Sequence, residues 1–311
     1  MREYLDAAVF KDMILCADAA LAENTQQINE LNVFPVPDGD TGTNMGLTMN
    51  EAAAQLRKKE FYTVDAVADC VAGALLRGAR GNSGVILSRI FSGISKGLEN
   101  KPSADVRVLH LAMERGIQES YSAVPVPVEG TILTVYRDAV KFAGDRIDEN
   151  STLDSYFRDF NTELRRSLEH TPEQLDVLKE AGVVDSGGAG LVYIFDGMLA
   201  ALEGTGKQLA ETATASSAPR IDLSLFTEDS ELKFGYCTEF IIMRENPLPD
   251  EEVYAFKDFL NGIGDSIVLV ADDELVKVHV HTNDPGKAIS KALTYGQLTR
   301  MKIDNMRLEH Q

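Results

Sequence analysis

LNVFPVPDGDTGTNMGLTMN, residues 31–50, places the carboxylates Asp38 and Asp40 on either side of a glycine and follows them with hydroxyl and amide side chains. Apolar residues then recur at helical spacing and predict a helix; they are Met45, Met49, Ala52, Ala53 and Leu56. The start of a helix favours anions, and carboxylates bind hard cations such as Mg²⁺, which often retain a substrate phosphate. The segment therefore predicts a nucleotide site, although a capped, Asx-rich turn explains the same residues equally well.

Three later loops repeat this arrangement, in which glycine with hydroxyl or amide side chains precedes an apolar helix. They lie at residues 77–84, 125–134 and 184–190. Glycine lets the backbone approach a neighbour closely, and the polar side chains can cap the helix that follows. Strand-like runs are scarce in this part of the chain. We therefore predict that residues 1–204 form an all-α domain of antiparallel helices, with these loops gathered at one end around a shared polyanion.

Composition limits the classes of partner. The 311 residues carry a formal net charge of −19, which argues against a phosphate-backbone footprint and hence against nucleic acid. No apolar run approaches the 18 or so residues of a transmembrane helix. The three cysteines, Cys16, Cys70 and Cys237, are odd in number and far apart, so a reducing, cytoplasmic setting is expected.

The pattern changes after the helical part. Residues 205–222, TGKQLAETATASSAPRID, are rich in Ala, Ser and Thr and predict a linker. Beyond it, strand-like and helical runs alternate in the order βαββαβ. That order predicts a smaller α+β domain over residues 223–311, a ferredoxin-like sandwich.

One group of side chains in this second domain suggests a metal. Residues alternate between the two faces of a strand, so His279 and His281 share a face, and Cys237 lies on a strand that can pair nearby. One cysteine and two histidines suit Zn²⁺, with a fourth position for water or another residue. Two half-exposed histidines and a core cysteine would give the same spacing, so spacing alone leaves both interpretations open.

Six motifs together resemble a known family, the bacterial fatty acid kinase A subunits, and less closely the nucleotide-binding L subunit of dihydroxyacetone kinases. They are LNVFPVPDGDTGTNM (31–45), GARGNSGVILSRIFSG (78–93), EGTILTV (129–135), VDSGGAGL (184–191), FGYCTEFIIM (234–243) and VHVHTNDPG (278–286). The resemblance covers essentially the whole chain. It implies an α-helical barrel that binds ATP or ADP with two Mg²⁺ ions, followed by a zinc-binding α/β middle domain.

The resemblance also implies roles for individual residues. Asp38 and Asp40 would ligate the Mg²⁺ pair, and Asn32 falls near a third aspartate of the dihydroxyacetone kinase branch, with an amide in place of the carboxylate. Thr43 would act with the two aspartates in catalysis. The residues implied to contact the phosphates are Thr41, Thr43, Asn44, Asn82, Ser83 and Gly84, and those around the rest of the nucleotide are Thr131, Asp185 and Gly187. Cys237, His279 and His281 match the metal motif of the middle domain.

The reaction implied by the resemblance transfers the γ-phosphate of ATP to the carboxylate of a fatty acid held by a separate carrier protein. The product is an acyl phosphate for phospholipid synthesis. Family members continue well past residue 311 into a C-terminal domain, so we expect this chain alone to bind ATP but to transfer phosphate poorly. Two alternatives remain: a kinase subunit for a small hydroxy-ketone, and a non-catalytic sensor of nucleotide or zinc. The sequence leaves open whether the chain forms a homodimer.

Overall fold

The computed structural model describes residues 2–205 and 233–309, which belong to two compact units. The predicted linker, residues 205–222, lies outside the described residues apart from Thr205. The predicted domain boundaries therefore stay a prediction.

The regular elements among the described residues of the first unit are all helices. The helices are α1 (Ala7–Glu23), α2 (Thr25–Glu30), α3 (Thr41–Arg57), α4 (Val64–Gly78), α5 (Gly81–Leu98), α6 (Val106–Ala123), α7 (Ile132–Gly144), α8 (Leu153–Glu169), α9 (Thr171–Gln174), α10 (Asp176–Ala181) and α11 (Ser186–Leu202). Neighbouring helices close into a ring, because α1 packs on α3 and α11, α3 on α4 and α5, α5 on α6, α6 on α7, and α7 on α8 and α11. This ring confirms the predicted helical barrel.

Helix starts alternate between the two ends of the barrel. At one end, Leu5 and Ala104, just before α1 and α6, exchange backbone hydrogen bonds of 2.7 and 3.0 Å. The first residue of α4 donates to the carbonyl of Pro102, and Leu153 at the start of α8 donates to the carbonyl of Arg2. The helices α3, α5, α7 and α11 run the other way. Their starts, which carry the polar loops, therefore belong to the opposite end.

The helix after the acid pair buries the stripe that its sequence predicted. Met45, Met49, Ala52, Ala53 and Leu56 are all fully buried in the barrel core. Burying each large apolar side chain contributes about 1.5–3 kcal/mol, so this stripe holds α3 firmly and fixes the loop before it. Among the described helices, none combines the length and the apolarity needed to cross a membrane.

The second unit contains a four-stranded antiparallel sheet with helices on one face. Its elements are β1 (Tyr236–Met243), α12 (Asp250–Asn261), β2 (Gly264–Ala271), β3 (Leu275–Thr282), α13 (Pro285–Ala292), β4 (Gln297–Asn305) and α14 (Met306–Glu309). The strand order is β2-β3-β1-β4, with antiparallel pairing at each ladder. The order βαββαβ with this pairing confirms the predicted ferredoxin-like sandwich.

The two faces of this sheet differ in chemistry. Alternate residues of β1 and β3, among them Phe240, Val278 and Val280, pack with Phe256 of α12 and Ala288 of α13 in one apolar core. The intervening residues of the same strands point to the other face. That face carries the cysteine and histidines singled out by their spacing.

Candidate functional site

The carboxylate pair lies in the loop that enters α3. Gly39 between the two aspartates has a φ of +66°, a left-handed conformation that glycine adopts without strain. Asp40 is the N-cap residue of α3, yet its side chain makes no capping hydrogen bond. The buried Asn32 donates a hydrogen bond from Nδ2 to Oδ1 of Asp38. The loop thus brings Asn32, Asp38 and Asp40 together and leaves the Asp40 carboxylate free of helix capping.

Burial and the neighbouring charge of Asp40 disfavour the ionised form of Asp38. Burial raises the pKa of Asp38 to about 7, and the charge and side-chain hydrogen bond of Asp40 add to that shift. Hydrogen bonds from Asn32 and from the backbone of Asp40 lower the pKa of Asp38, but by less. A dication between the two carboxylates would relieve their repulsion. The donor set therefore fits Mg²⁺.

The first turn of α3 is held by two neighbouring helices. The buried hydroxyl of Thr41 accepts a hydrogen bond of 3.1 Å from Ser186 at the start of α11. Thr43 is exposed, and its backbone N–H donates to Oδ1 of Asn29 in α2 at 3.1 Å while its hydroxyl accepts from Nδ2 of Asn29 at 3.0 Å. A Cβ added at Gly42 would lie 2.2 Å from the carbonyl oxygen of Thr25, so glycine is required for this approach. Sequence reasoning missed Asn29, since nothing in its own segment marks it.

The start of α5 lies against the same turn of α3. Gly81 has a φ of +57°, and a Cβ added there would lie 2.6 Å from Nδ2 of Asn44. A Cβ at Gly84 would lie 2.5 Å from the hydroxyl oxygen of Thr48. Oδ1 of Asn82 is buried and has no hydrogen-bond donor among the described residues. An unpaired buried oxygen is costly and marks a site for a ligand or an ordered water; Ser83 follows it in the same turn.

The starts of α7 and α11 are joined by one carboxylate. Oδ2 of the buried Asp185 accepts a hydrogen bond of 2.7 Å from the backbone N–H of Gly188, and the backbone of Ile132 is a second donor. Burial raises the pKa of Asp185 to about 6, although both backbone hydrogen bonds lower it. A Cβ added at Gly187 would lie 3.1 Å from Cβ of Ile132. The hydroxyl of Thr131, the N-cap residue of α7, donates to the carbonyl of Val128 at 2.7 Å.

These contacts bring all four predicted loops to one place. Ser186 links α11 to α3, Gly81 links α5 to α3, and Asp185 links α11 to α7. Four helix N-termini, with their partial positive charges, therefore adjoin two carboxylates suited to a cation. This combination can bind a polyphosphate together with Mg²⁺. Thr131 and Asp185 make hydrogen bonds to backbone groups of the protein, and these bonds hold the starts of α7 and α11 in place.

The second unit brings together the predicted metal ligands. One ligand atom from each of Cys237, His279 and His281 lies within 4.8 Å of the others. The two histidine Nε2 atoms are 3.2 Å apart, and Sγ of Cys237 lies 3.9 Å from Nδ1 of His279. Nitrogens bound to tetrahedral zinc at 2.0–2.1 Å would lie about 3.3 Å apart. The donors and this spacing fit Zn²⁺.

The two histidines have opposite electrostatic environments. Burial disfavours the charged form of His279, but Cys237 and Glu239 outweigh it and raise its pKa to about 10. Burial, and then the charge of His279, lower the pKa of His281 to about 3. Sequence reasoning missed Glu239, which is buried and pairs with His279 across the β1–β3 ladder. The period of two could have found it, because Glu239 shares a face of β1 with Cys237.

Comparisons with known proteins agree with this division of the chain. Residues 35–200 match the model of the DAK2 domain, and residues 233–311 match that of the FakA-like middle domain, named for the A subunit of fatty acid kinase. Protein YloV of Bacillus subtilis (strain 168) is 40% identical over 313 residues, which cover 98% of this chain and 56% of the relative. An uncharacterized protein of Staphylococcus aureus (strain USA300) is 37% identical over 316 residues, with the same two coverages.

The chain thus spans 56% of the length of these relatives. Among solved structures, the native form of the dihydroxyacetone kinase of C. freundii is similar at a TM-score of 0.49 and 17% identity. That match covers 64% of this chain and 35% of the other. A likeness this distant carries no argument about function.

Proposed function

The chain belongs to the DAK2 domain family, with a second unit of the FakA-like middle-domain type, and from that premise we propose that it is the nucleotide-binding subunit of an ATP-dependent kinase. The phosphoryl acceptor in this proposal is the carboxylate of a fatty acid presented by a separate carrier protein. The product is an acyl phosphate that supplies phospholipid synthesis.

The observation that carries the proposal is the carboxylate pair beside four gathered helix starts. Asp38 and Asp40 are the residues that would hold Mg²⁺, with the amide of Asn32 against Asp38. The phosphates would lie at the first turns of α3 and α5. In α3 they would contact Thr41, Thr43 and Asn44. In α5 they would contact Asn82, Ser83 and Gly84. Thr131, Asp185 and Gly187 would bound the remainder of the nucleotide.

The proposed reaction mainly requires the protein to position the reactants and to neutralise charge. Phosphoryl transfer is accelerated mainly by orienting donor and acceptor and by neutralising charge on the phosphates. Bound Mg²⁺ would supply most of that neutralisation. A fatty acid carboxylate is already ionised at neutral pH, so no strong general base is needed. The helix starts fix the phosphate chain, and Asn29 holds Thr43 in place from α2.

We also propose that Cys237, His279 and His281 hold zinc in the second unit. The support is the donor set and the 3.2 Å separation between the two Nε2 atoms. Removing the zinc tests whether its role is structural or regulatory.

Calorimetric titration with ADP, with and without Mg²⁺, tests the nucleotide site. The wild type is expected to bind ADP more tightly with Mg²⁺, and the double variant Asp38→Ala/Asp40→Ala is expected to lose that dependence. Asp69→Asn is the matched control, because Asp69 is exposed on α4 and its loss changes charge away from the site. A wild type that binds no ADP under either condition would refute the kinase proposal for this chain.

The acceptor is tested separately. ATP is supplied with palmitate loaded on a fatty-acid-binding protein, and acyl phosphate is trapped with hydroxylamine; dihydroxyacetone is the rival acceptor. The chain is assayed alone and with the C-terminal portion of a longer relative added in trans. Acyl phosphate supports the proposal, phosphorylated dihydroxyacetone overturns the choice of acceptor, and tight ADP binding with neither product in either assay favours a sensor.

A further inference from the structure

Glu239 is a buried carboxylate beside the proposed zinc ligands. It lies opposite His279 in the β1–β3 ladder, and its Oε1 is 2.9 Å from Nδ1 of His279. Cys237 and His281 face each other two residues further along the same two strands. Only 2% of Glu239 is exposed, so this hydrogen bond is shielded from water. The distance and the pairing fit Nδ1–H of His279 donating to a carboxylate oxygen.

That proton decides which nitrogen of His279 faces a metal. When a metal displaces the proton of Nε2, Nδ1–H can still donate to Glu239, and Nε2 lies 3.2 Å from Nε2 of His281. A histidine that ligates a metal through one nitrogen usually donates its other N–H to a carboxylate or carbonyl, which orients the ring and raises its basicity. The contact of Glu239 with His279 has this form.

We propose that Glu239 is a positioning residue for the metal, holding His279 in the tautomer that presents Nε2 to Zn²⁺. The inference rests on the proposed zinc site and adds to it the residue that orients one ligand. Among the described acids, cysteines and histidines, the group with mutually close ligand atoms contains Cys237, His279 and His281 but not Glu239. Glu239 therefore acts through His279.

A lysine completes the arrangement behind the carboxylate. Nζ of Lys277 lies 4.0 Å from Oε2 of Glu239, and Lys277 is fully buried two residues from His279 on β3. The lysine places an opposite charge beside a carboxylate that is almost fully buried, where an uncompensated charge would be costly. A carboxylate is a stronger acceptor for Nδ1–H than an amide oxygen, which is the comparison that Glu239→Gln makes.

Zinc affinity is the first test, measured by competition with a chromophoric chelator. Glu239→Ala is expected to weaken Zn²⁺ binding about 10- to 100-fold, and Glu239→Gln, which keeps an acceptor oxygen and the volume, to weaken it less. Glu251→Gln is the matched control: Glu251 is exposed on α12, which packs on the apolar face of the sheet, so affinity should be unchanged. Amide ¹H–¹⁵N spectra of each variant report whether the sheet has folded.

The tautomer of His279 is the second test and needs no variant. In ¹⁵N-labelled, zinc-loaded wild type, long-range ¹H–¹⁵N spectra should show Nδ1 protonated and Nε2 metal-bound. Metal on Nδ1, or unchanged zinc affinity in a folded Glu239→Ala chain, would overturn the positioning role while leaving the zinc site intact. A wild type that binds no Zn²⁺ would overturn both this inference and the proposed zinc site, while the ADP titration tests the nucleotide site independently.

Discussion

Removing one charge from the acid pair should stabilise the metal-free protein and abolish its response to Mg²⁺. The change is Asp38→Asn, which keeps the shape of the side chain and an oxygen to accept from Nδ2 of Asn32. The pKa of Asp38 rises from 3.8 to about 7 on folding, through burial and then the charge of Asp40. At 1.36 kcal/mol per unit, the ionised carboxylate costs the folded state up to about 4 kcal/mol.

The pH dependence follows from the direction of this shift. Between about pH 4 and pH 7 the folded wild type holds a proton on Asp38 that the unfolded chain has lost, so the free energy of unfolding falls as pH rises through this window. Asp38→Asn removes that fall. Without metal, the two proteins should be nearly equal in stability near pH 4. At pH 8 the variant should be more stable by up to about 4 kcal/mol.

Adding the ligand should stabilise only the protein that has both carboxylates. At pH 8, Mg²⁺ with ADP at a hundred times its Kd should stabilise the wild type by about 2.7 kcal/mol and leave Asp38→Asn nearly unchanged. Urea unfolding followed at 222 nm, where the helical unit dominates the signal, measures both effects in EDTA and in Mg²⁺ with ADP. Asp69→Asn, an equal loss of charge at an exposed position, should run parallel to the wild type. A variant less stable than the wild type at pH 8 in EDTA would refute the reasoning.

Three further changes test contacts that hold the two sites. Gly42→Ala should destabilise the helical unit by about 1–3 kcal/mol in urea, because its Cβ would lie 2.2 Å from the carbonyl oxygen of Thr25; an unchanged midpoint would mean that α2 and α3 can move apart freely. Asp185→Ala should cost about 1–2 kcal/mol through loss of the cap on Gly188 and should weaken ADP binding, whereas full affinity would show that the α7–α11 link is dispensable. Cys237→Ser should remove the thiolate-to-metal charge-transfer band of the Co²⁺-loaded chain, and persistence of that band would exclude Cys237 as a ligand.

The parts of the fold that followed from sequence are those set by local periodicity. The stripe from Met45 to Leu56 has helical spacing and is buried as predicted, because one apolar face per helix is enough to position it in the barrel. The βαββαβ order likewise constrains the sheet to few topologies. Each of these patterns lies within one element or in the order of elements, where one sequence carries enough information.

Contacts between elements distant in sequence could not be predicted in the same way. Asn29 contacts Thr43 only because Gly42 lets α2 and α3 approach, and no pattern in Thr25–Glu30 indicates that approach. Glu239 contacts His279 because of the cross-strand register, since a slip of one residue would move Glu239 to the other face of the sheet. The gathering of four polar loops was predicted from their shared composition, but which helix start meets which required the packed barrel.

Both candidate sites contain charged side chains at positions where burial disfavours charge, and this supports a ligand at each site. Asp38 next to Asp40 is less favourable in the metal-free fold than an amide would be, and buried Glu239 and Lys277 are no better than apolar residues of similar volume. Local rules that a sequence breaks without structural benefit mark functional positions. Around them, the apolar stripes of the helices and the alternation of the strands follow the local rules. The unfavourable buried charges lie in or beside the two sets of metal-binding side chains. A cation bound there would make these charges favourable.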